Sequence, residues 1–146
     1  MPTRQASTDA PFSIPVQVYW EDTDAGGIVY YANYLRYFER ARSDWLRALG
    51  VSQQRMRQDD GALFVVAAAD LKYHRPARLD DRLAVTVTLA QAGRATWQFH
   101  QQALRGDELL CDGHIRVGCV DAARFRPCRI PDAIAALVTP SDVPSA

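Results

Sequence analysis

The chain has 146 residues, 48% of them apolar, enough for one core of ordinary size and too few for two. Its 17 basic residues balance 17 acidic ones, which excludes broad electrostatic adhesion to nucleic acid or anionic lipid and leaves any phosphate site a local feature. Three cysteines, Cys111, Cys119 and Cys128, form an odd set late in the chain, a poor disulfide framework and the usage expected in a reducing, cytoplasmic compartment.

In chain order, residues 1–13 carry Thr, Ser, Pro and Ala without an apolar run of signal-peptide length and are expected as a tail. Residues 139–146 repeat that composition, so a single domain is expected over 14–138. The longest apolar run, 62–69, is too short to span a bilayer, and a soluble, unanchored protein follows. Val16, Val18 and Trp20 alternate with Gln17 and Tyr19 at the strand period of two. The turn Asp22-Thr23-Asp24-Ala25-Gly26-Gly27 comes next and leads through Ile28 to Tyr31 into a helical pattern.

Asn33 is placed to cap that helix and Gly50 to end it. Spaced about 100° apart, Tyr34, Tyr37, Phe38, Ala41, Trp45, Leu46, Ala48 and Leu49 fill about half the circumference. A surface helix needs less, so the pattern predicts a helix partly enclosed by a curved sheet. Arg42 falls inside the apolar arc, where a charge requires a partner, expected to be a carboxylate. Strand patterns then cover 62–74, 83–89, 94–104 and 109–120, with connections at Gln91-Ala92-Gly93 and Arg105-Gly106-Asp107 short enough for antiparallel hairpins. One strand, one long helix and four antiparallel strands make an α+β architecture with the helix against the sheet.

Several chemistries lose support at once. Gly-x-Ser-x-Gly and Gly-x-x-x-x-Gly-Lys are absent, and Ala25-Gly26-Gly27 lacks the spacing of a dinucleotide fingerprint. No metal site is expected from Cys111, His114 and Cys119: on one strand the two cysteines are ~26 Å apart and the histidine faces the other way.

Asp24 is the unusual residue, because it sits on a glycine-flanked turn a few residues before a helix start. Gly26 and Gly27 let backbone approach a ligand closely. Unbonded N–H groups near Tyr31 and Ala32 supply partial positive charge where an oxyanion would sit. Carboxylate and donors would then converge on one point, which suits attack on an activated acyl carbonyl. The plain alternative is that Asp22 and Asp24 make only Asx-type turn bonds, and Asp22 fits that bracing role in either case.

The run from Glu21 through Asp22-Thr23-Asp24-Ala25-Gly26-Gly27-Ile28-Val29-Tyr30-Tyr31-Ala32-Asn33 to Tyr34, followed by Tyr37-Phe38-Glu39-Arg40-Ala41-Arg42, resembles the signature of the hydroxybenzoyl-CoA thioesterase family. Within it the likeness is greatest to the Tol-Pal system-associated acyl-CoA thioesterases, and it continues through Arg75-Pro76-Ala77-Arg78-Leu79-Asp80-Asp81 and Cys119-Val120-Asp121. The resemblance implies a hotdog fold, an antiparallel sheet wrapped round a central helix. It implies hydrolysis of acyl-CoA, or acyl carrier protein, thioesters. It further implies a homodimer or homotetramer with sites between protomers, and no cofactor beyond the coenzyme A of the substrate. The family's catalytic aspartate falls on Asp24 and its oxyanion donor on the backbone N–H of Tyr31. One position departs from the pattern: many Tol-Pal-associated members carry histidine where this chain has Tyr31, while the hydroxybenzoyl-CoA branch has an aromatic pair there.

With no histidine in the turn, a carboxylate, ionised at neutral pH yet a weak base toward water, is better equipped to attack the thioester than to deprotonate water. Nucleophile is the expected role and general base the competing one. Coenzyme A calls for an apolar slot ending in local positive charge; by the same resemblance Arg94, Arg124 and Arg126 match phosphate-contacting positions, where the planar guanidinium suits phosphate oxygens. The pantetheine arm is expected past Phe64 and Val65. The rival readings are a non-catalytic module that binds an acyl carrier or cell-envelope partner, and a hotdog hydratase or dehydratase, which would want a histidine this turn lacks.

Overall fold

The computed structural model describes residues 10–138, in which five strands form one antiparallel sheet. These are β1 (Phe12–Gln17), β2 (Ala62–Tyr73), β3 (Arg82–Ala92), β4 (Thr96–Arg105) and β5 (Glu108–Asp121). Their order is β1-β3-β4-β5-β2, so the hairpin-linked β3, β4 and β5 form the middle, and β1 and β2 the edges. Helix α1 (Asn33–Ala48) connects the two edge strands and packs on one face, as the α+β expectation requires. Two short helices, α2 (Gln53–Arg55) and α3 (Asp132–Ala135), were not legible in the pattern. β1 starts at Phe12, two residues inside the segment 1–13 expected as tail; residues 1–9 and 139–146 lie outside the described residues.

The first strand ends earlier than its alternation suggests. Tyr19 N donates to Asp22 Oδ2 at 2.8 Å and Thr23 Oγ1 to Trp20 O at 2.8 Å, and these bonds wind Trp20–Asp22 into a 3-10 turn that leaves Trp20 exposed. Polar side chains here override the apolar rhythm.

α1 stops as its glycine directs. Gly50 takes a φ of 91°, its N–H donates to Arg47 O at 2.9 Å, and Val51 N–H reaches Leu46 O at 2.9 Å, a Schellman closure. The start differs from expectation, because Ala32 holds the cap position and Asn33 is the first helical residue. Its amide is drawn aside to Asp22, where Nδ2 donates to Oδ1 at 2.9 Å.

Tyr34, Tyr37, Phe38, Ala41, Trp45 and Leu46 are buried against the sheet, each large side chain contributing about 1.5–3 kcal/mol by leaving water. Ala48 is exposed and Leu49 half-buried, so the buried arc narrows toward the end of the helix. Trp45 meets Trp97 and Phe99 edge-on, with ring centroids 5.8 and 5.4 Å away. At Gly113 a Cβ would stand 2.9 Å from Phe38 Cε2, so only glycine lets helix and sheet approach this closely.

Arg42 is buried as its place in the arc requires, but its partner is an amide, not a carboxylate. Its Nη1 donates to Gln101 Oε1 at 2.9 Å, while Gln101 Nε2 donates to Phe38 O at 3.0 Å and Thr86 O at 3.2 Å. Burial lowers the Arg42 guanidinium from its ordinary range, and the nearby Glu39 carboxylate works against that shift.

A bulge between Val66 and Ala68 in β2 changes which residues face the helix. Phe64 and Val66 pair with Cys119 and Val117 before it, and Ala69, Leu71 and Tyr73 pair with Ile115, Gly113 and Cys111 after it. Both ends of β2 therefore turn an aromatic ring toward the helix side.

Candidate active site

The Asp24 turn is held from three directions. Thr23 bridges Val29, Asp24 N donates to Ile28 O at 2.9 Å, and Gly27 N returns to Asp24 O at 3.0 Å, which closes the loop. Ile28 bridges Arg78 and Val29 N donates to Ala77 O at 2.9 Å, which clamps the loop to the segment before β3. Gly27 has a φ of 80°, open to glycine at little cost, and a Cβ on Gly26 would crowd Asp24 Oδ1 at 3.2 Å. Gly26 N donates to that same oxygen at 2.8 Å, the Asx bond of the plain reading, and Asp24 Oδ2 remains at an exposed carboxylate.

Asp22 fixes this turn relative to the helix. Its two carboxylate oxygens accept from Tyr19 N and Asn33 Nδ2, and its carbonyl accepts from Tyr30 N at 2.9 Å. The strand end, the turn and the first residue of α1 thus meet on one buried side chain. Tyr37 Oη lies buried beside it without a hydrogen bond among the described residues; burial first, then the Asp22 charge, hold that phenol well above its ordinary range.

Tyr31 stands two residues before α1, 62% exposed, and its N–H and that of Ala32 have no backbone acceptor among the described residues. The residue is anchored from the far end of β2, where Tyr73 Oη donates to Tyr31 O at 3.0 Å and the two rings meet edge-on at 6.2 Å. Tyr73 carried no sequence signal, and Asn33 was legible only as a helix cap, since the bonds both make, to Tyr31 O and to Asp22, form only in the folded chain. Asp24, Gly26 and Gly27 on the clamped turn and Tyr31 before the helix are tied together through Asp22, whose carbonyl accepts from Tyr30 N and whose carboxylate holds Asn33. A carboxylate, a close-approach backbone and amides without a backbone acceptor among the described residues fall in one short corner of the chain.

The remaining candidates lie elsewhere in the chain. Phe64 and Val65 line a cavity of about 130 Å³ between α1 and the sheet, whose wall also includes Glu39, Arg42 and Trp97. Phe64 stacks on Trp97 at 5.1 Å and also borders an open groove with Arg57, Leu63 and Ala122. Asp24 lines neither. Arg94 lies in the β3–β4 turn, before the strand it was expected to open, and Arg124 and Arg126 lie on the turn after β5. Ile130 N donates to Arg94 O at 2.8 Å and Asp121 N to Arg126 O at 2.9 Å, so all three arginines gather at one end of the sheet. All three are exposed and make no ion pair among the described residues.

β2 separates the two groups. Phe64 is near its start beside the arginine end, and Tyr73, at its finish, holds Tyr31; nine residues of strand put them roughly 30 Å apart. One chain thus does not bring the binding candidates to the catalytic ones.

The thiols lie on the buried side. Burial pushes Cys111 and Cys119 up to about 12, with Cys128 adding to the shift at Cys119, so neither is a thiolate near neutral pH. His114 is exposed on the opposite face of β5 from both.

A family model for the thioesterase-like superfamily matches residues 18–138. The acyl-CoA thioesterase YbgC of Haemophilus influenzae is 41% identical over 128 residues, which is 88% of this chain and 94% of that protein. The acyl-CoA thioester hydrolase YbgC of Escherichia coli O6:H1 is 39% identical over 126 residues, 86% of this chain and 93% of its own length. A solved probable thioesterase from Bartonella henselae superposes with a TM-score of 0.79 at 30% identity, covering 84% of this chain and 100% of that one. Helix, sheet and relatives agree on the hotdog fold, and this chain belongs to the thioesterase-like superfamily.

Proposed function

We propose that this chain is an acyl-CoA thioester hydrolase in which Asp24 and the N–H of Tyr31 act on the same carbonyl. An Asp24 oxygen adds to the thioester carbon, the carbonyl electrons move to an oxygen held by the Tyr31 N–H, and collapse expels the coenzyme A thiolate. Water then cleaves the acyl-aspartyl anhydride, releasing the acid and restoring the carboxylate. The alternative within this proposal has Asp24 deprotonate water for direct attack. What carries the reading is the corner itself: a clamped turn with an exposed carboxylate beside helix-start amides that have no backbone acceptor among the described residues. The test is a hydrolysis panel of short, long and aromatic acyl-CoA esters; no turnover of any of them would leave the binding-module reading in its place.

The same proposal makes the working unit a homodimer, or a homotetramer of two such dimers. β2 is a 12-residue edge strand whose middle, Val66 to Asp70, is exposed and mostly apolar. Long edges of this kind invite pairing with another strand. Two β2 strands paired antiparallel about a two-fold axis near Ala68 would set the Phe64 end of one chain beside the Tyr73 end of its partner. Arg94, Arg124 and Arg126 would then take the phosphates of an acyl-CoA whose thioester reaches the other chain's Asp24, with pantetheine running past Phe64 and Val65.

Replacing all three arginines by alanine is expected to raise KM for acyl-CoA about tenfold or more with little change in kcat, because charge-assisted phosphate contacts are lost while the reacting corner stays intact. An unchanged KM would remove them from the site. Co-expressing that variant with Asp24→Asn provides the sharper check, since a shared site leaves one intact centre in each mixed dimer. At substrate far below KM, about a quarter of wild-type activity should return; no recovery would put both groups in one chain's site. Acyl carrier protein as a second acyl donor and a link to the Tol-Pal system belong to this reading through the sequence motif, and a cytoplasmic compartment through the cysteine usage. No helix among the described residues is long and apolar enough to cross a membrane.

A further inference from the structure

The sheet has a second face, turned away from α1, and its polar groups play no part in the proposed hydrolysis. On β4 and β5 the residues Gln98, His100 and Gln102 alternate with buried Trp97, Phe99, Gln101 and Ala103, and Asp112 and His114 alternate with buried Cys111, Gly113 and Ile115. The register sets His100 directly across from His114 and Gln102 across from Asp112. His100 Nε2 contacts Asp112 Oδ1 at 2.5 Å, Gln102 Nε2 donates to the same oxygen at 3.2 Å, and the two imidazoles stack with centroids 4.9 Å apart and planes 19° from parallel.

One potential ligand atom from each of His100, Asp112 and His114 lies within 4.8 Å of the other two. Around a tetrahedral ion with bonds of about 2.0–2.2 Å, ligand atoms stand roughly 3.3–3.5 Å apart, so shifts of about 1–1.5 Å in side-chain torsion would bring all three onto one ion. A simple ion pair accounts for Asp112 and His100 but gives no reason for the second imidazole. Asp70, the register partner of His114 on β2, is the adjacent carboxylate.

We infer that His100, Asp112 and His114 form a binding site for a divalent transition metal of the zinc class on the outer face of the sheet, with the fourth position open to water or Asp70. Two imidazoles and one carboxylate favour such a borderline ion over calcium or magnesium, which take oxygen ligands. The ligands come from neighbouring strands of a ladder already paired, so the ion would clamp β4 to β5 at little cost in ordering. It lies across the sheet from α1 and is separate from the hydrolytic chemistry.

The test uses full-length, tag-free protein freed of metal by chelator, then titrated with zinc chloride against a chromogenic chelator and melted with and without zinc. One zinc per chain is expected, with a rise in Tm of about 5–10 °C when free zinc is about a hundredfold above its Kd. His114 is exposed, so His114→Ala should fold and lose both the stoichiometric zinc and the rise in Tm. Cobalt substitution guards against a thiolate site at Cys119 and Cys128, whose sulfurs are 3.6 Å apart. A nitrogen and oxygen site gives weak visible bands without sulfur charge transfer. Absence of zinc from the wild type, undiminished binding by His114→Ala, or a strong thiolate band would each overturn the assignment.

Discussion

Asp24→Asn is expected to lower kcat for acyl-CoA hydrolysis by about 10²–10⁴-fold, while KM and Tm change little. The size follows from what the substitution removes. A carboxamide neither adds to a thioester carbon nor takes a proton from water, and a thousandfold loss corresponds to about 4 kcal/mol of transition-state stabilisation. The stability expectation follows from the turn: asparagine keeps an oxygen that accepts from Gly26 N, now at 2.8 Å, and the clamp through Ile28 and Val29 uses backbone alone. Activity and fold are thereby separated by one isosteric change. An Asn variant hydrolysing within about fivefold of wild type would mean that Asp24 serves only the turn.

Gln101→Leu should be the most damaging single substitution in the core, costing about 3–5 kcal/mol and lowering Tm by about 10 °C or more. Gln101 is fully buried and is the one side-chain acceptor of Arg42 among the described residues. Its removal strands a guanidinium that burial already penalises, and it leaves the Phe38 and Thr86 carbonyls without the donors they have at 3.0 and 3.2 Å. Pairing it with Arg42→Met takes away the stranded charge, so the double variant should regain much of the loss. Thermal melts of the three variants decide this. If Gln101→Leu melts within about 2 °C of wild type, the amide is not what compensates the buried charge.

The two substitutions also mark where the sequence was informative. The broad apolar arc of α1 announced an enclosed helix, and alternation with short hairpin connections announced four of the five strands close to their observed bounds, because both patterns are written residue by residue along the chain. The Asp24 turn was legible for the same reason: carboxylate, glycines and helix start are consecutive. Partners across the fold were not. A guanidinium in an apolar arc demands an acceptor, but only the register of β4 against the helix decides that Gln101 supplies it. Trp20 fitted the strand rhythm until Asp22 and Thr23 bent the backbone round it. Cys111 and Cys119 share a strand with His114, whereas the residue stacked on it, His100, comes from the next strand. That the two halves of the candidate site belong to opposite ends of β2 likewise came into view only once β2 was placed at the sheet edge.

The account rests on two groups meeting one carbon, and a structure of the protein with a coenzyme A thioether that keeps the acyl carbonyl, a methylene standing between it and sulfur, examines that meeting itself. The carbonyl carbon is predicted about 3–3.5 Å from an Asp24 oxygen and the carbonyl oxygen about 2.7–3.1 Å from Tyr31 N, with the phosphates against arginines of the other protomer. A carbonyl bound beyond reach of both groups, for instance wholly within the Phe64 and Trp97 cavity of a single chain, would contradict it.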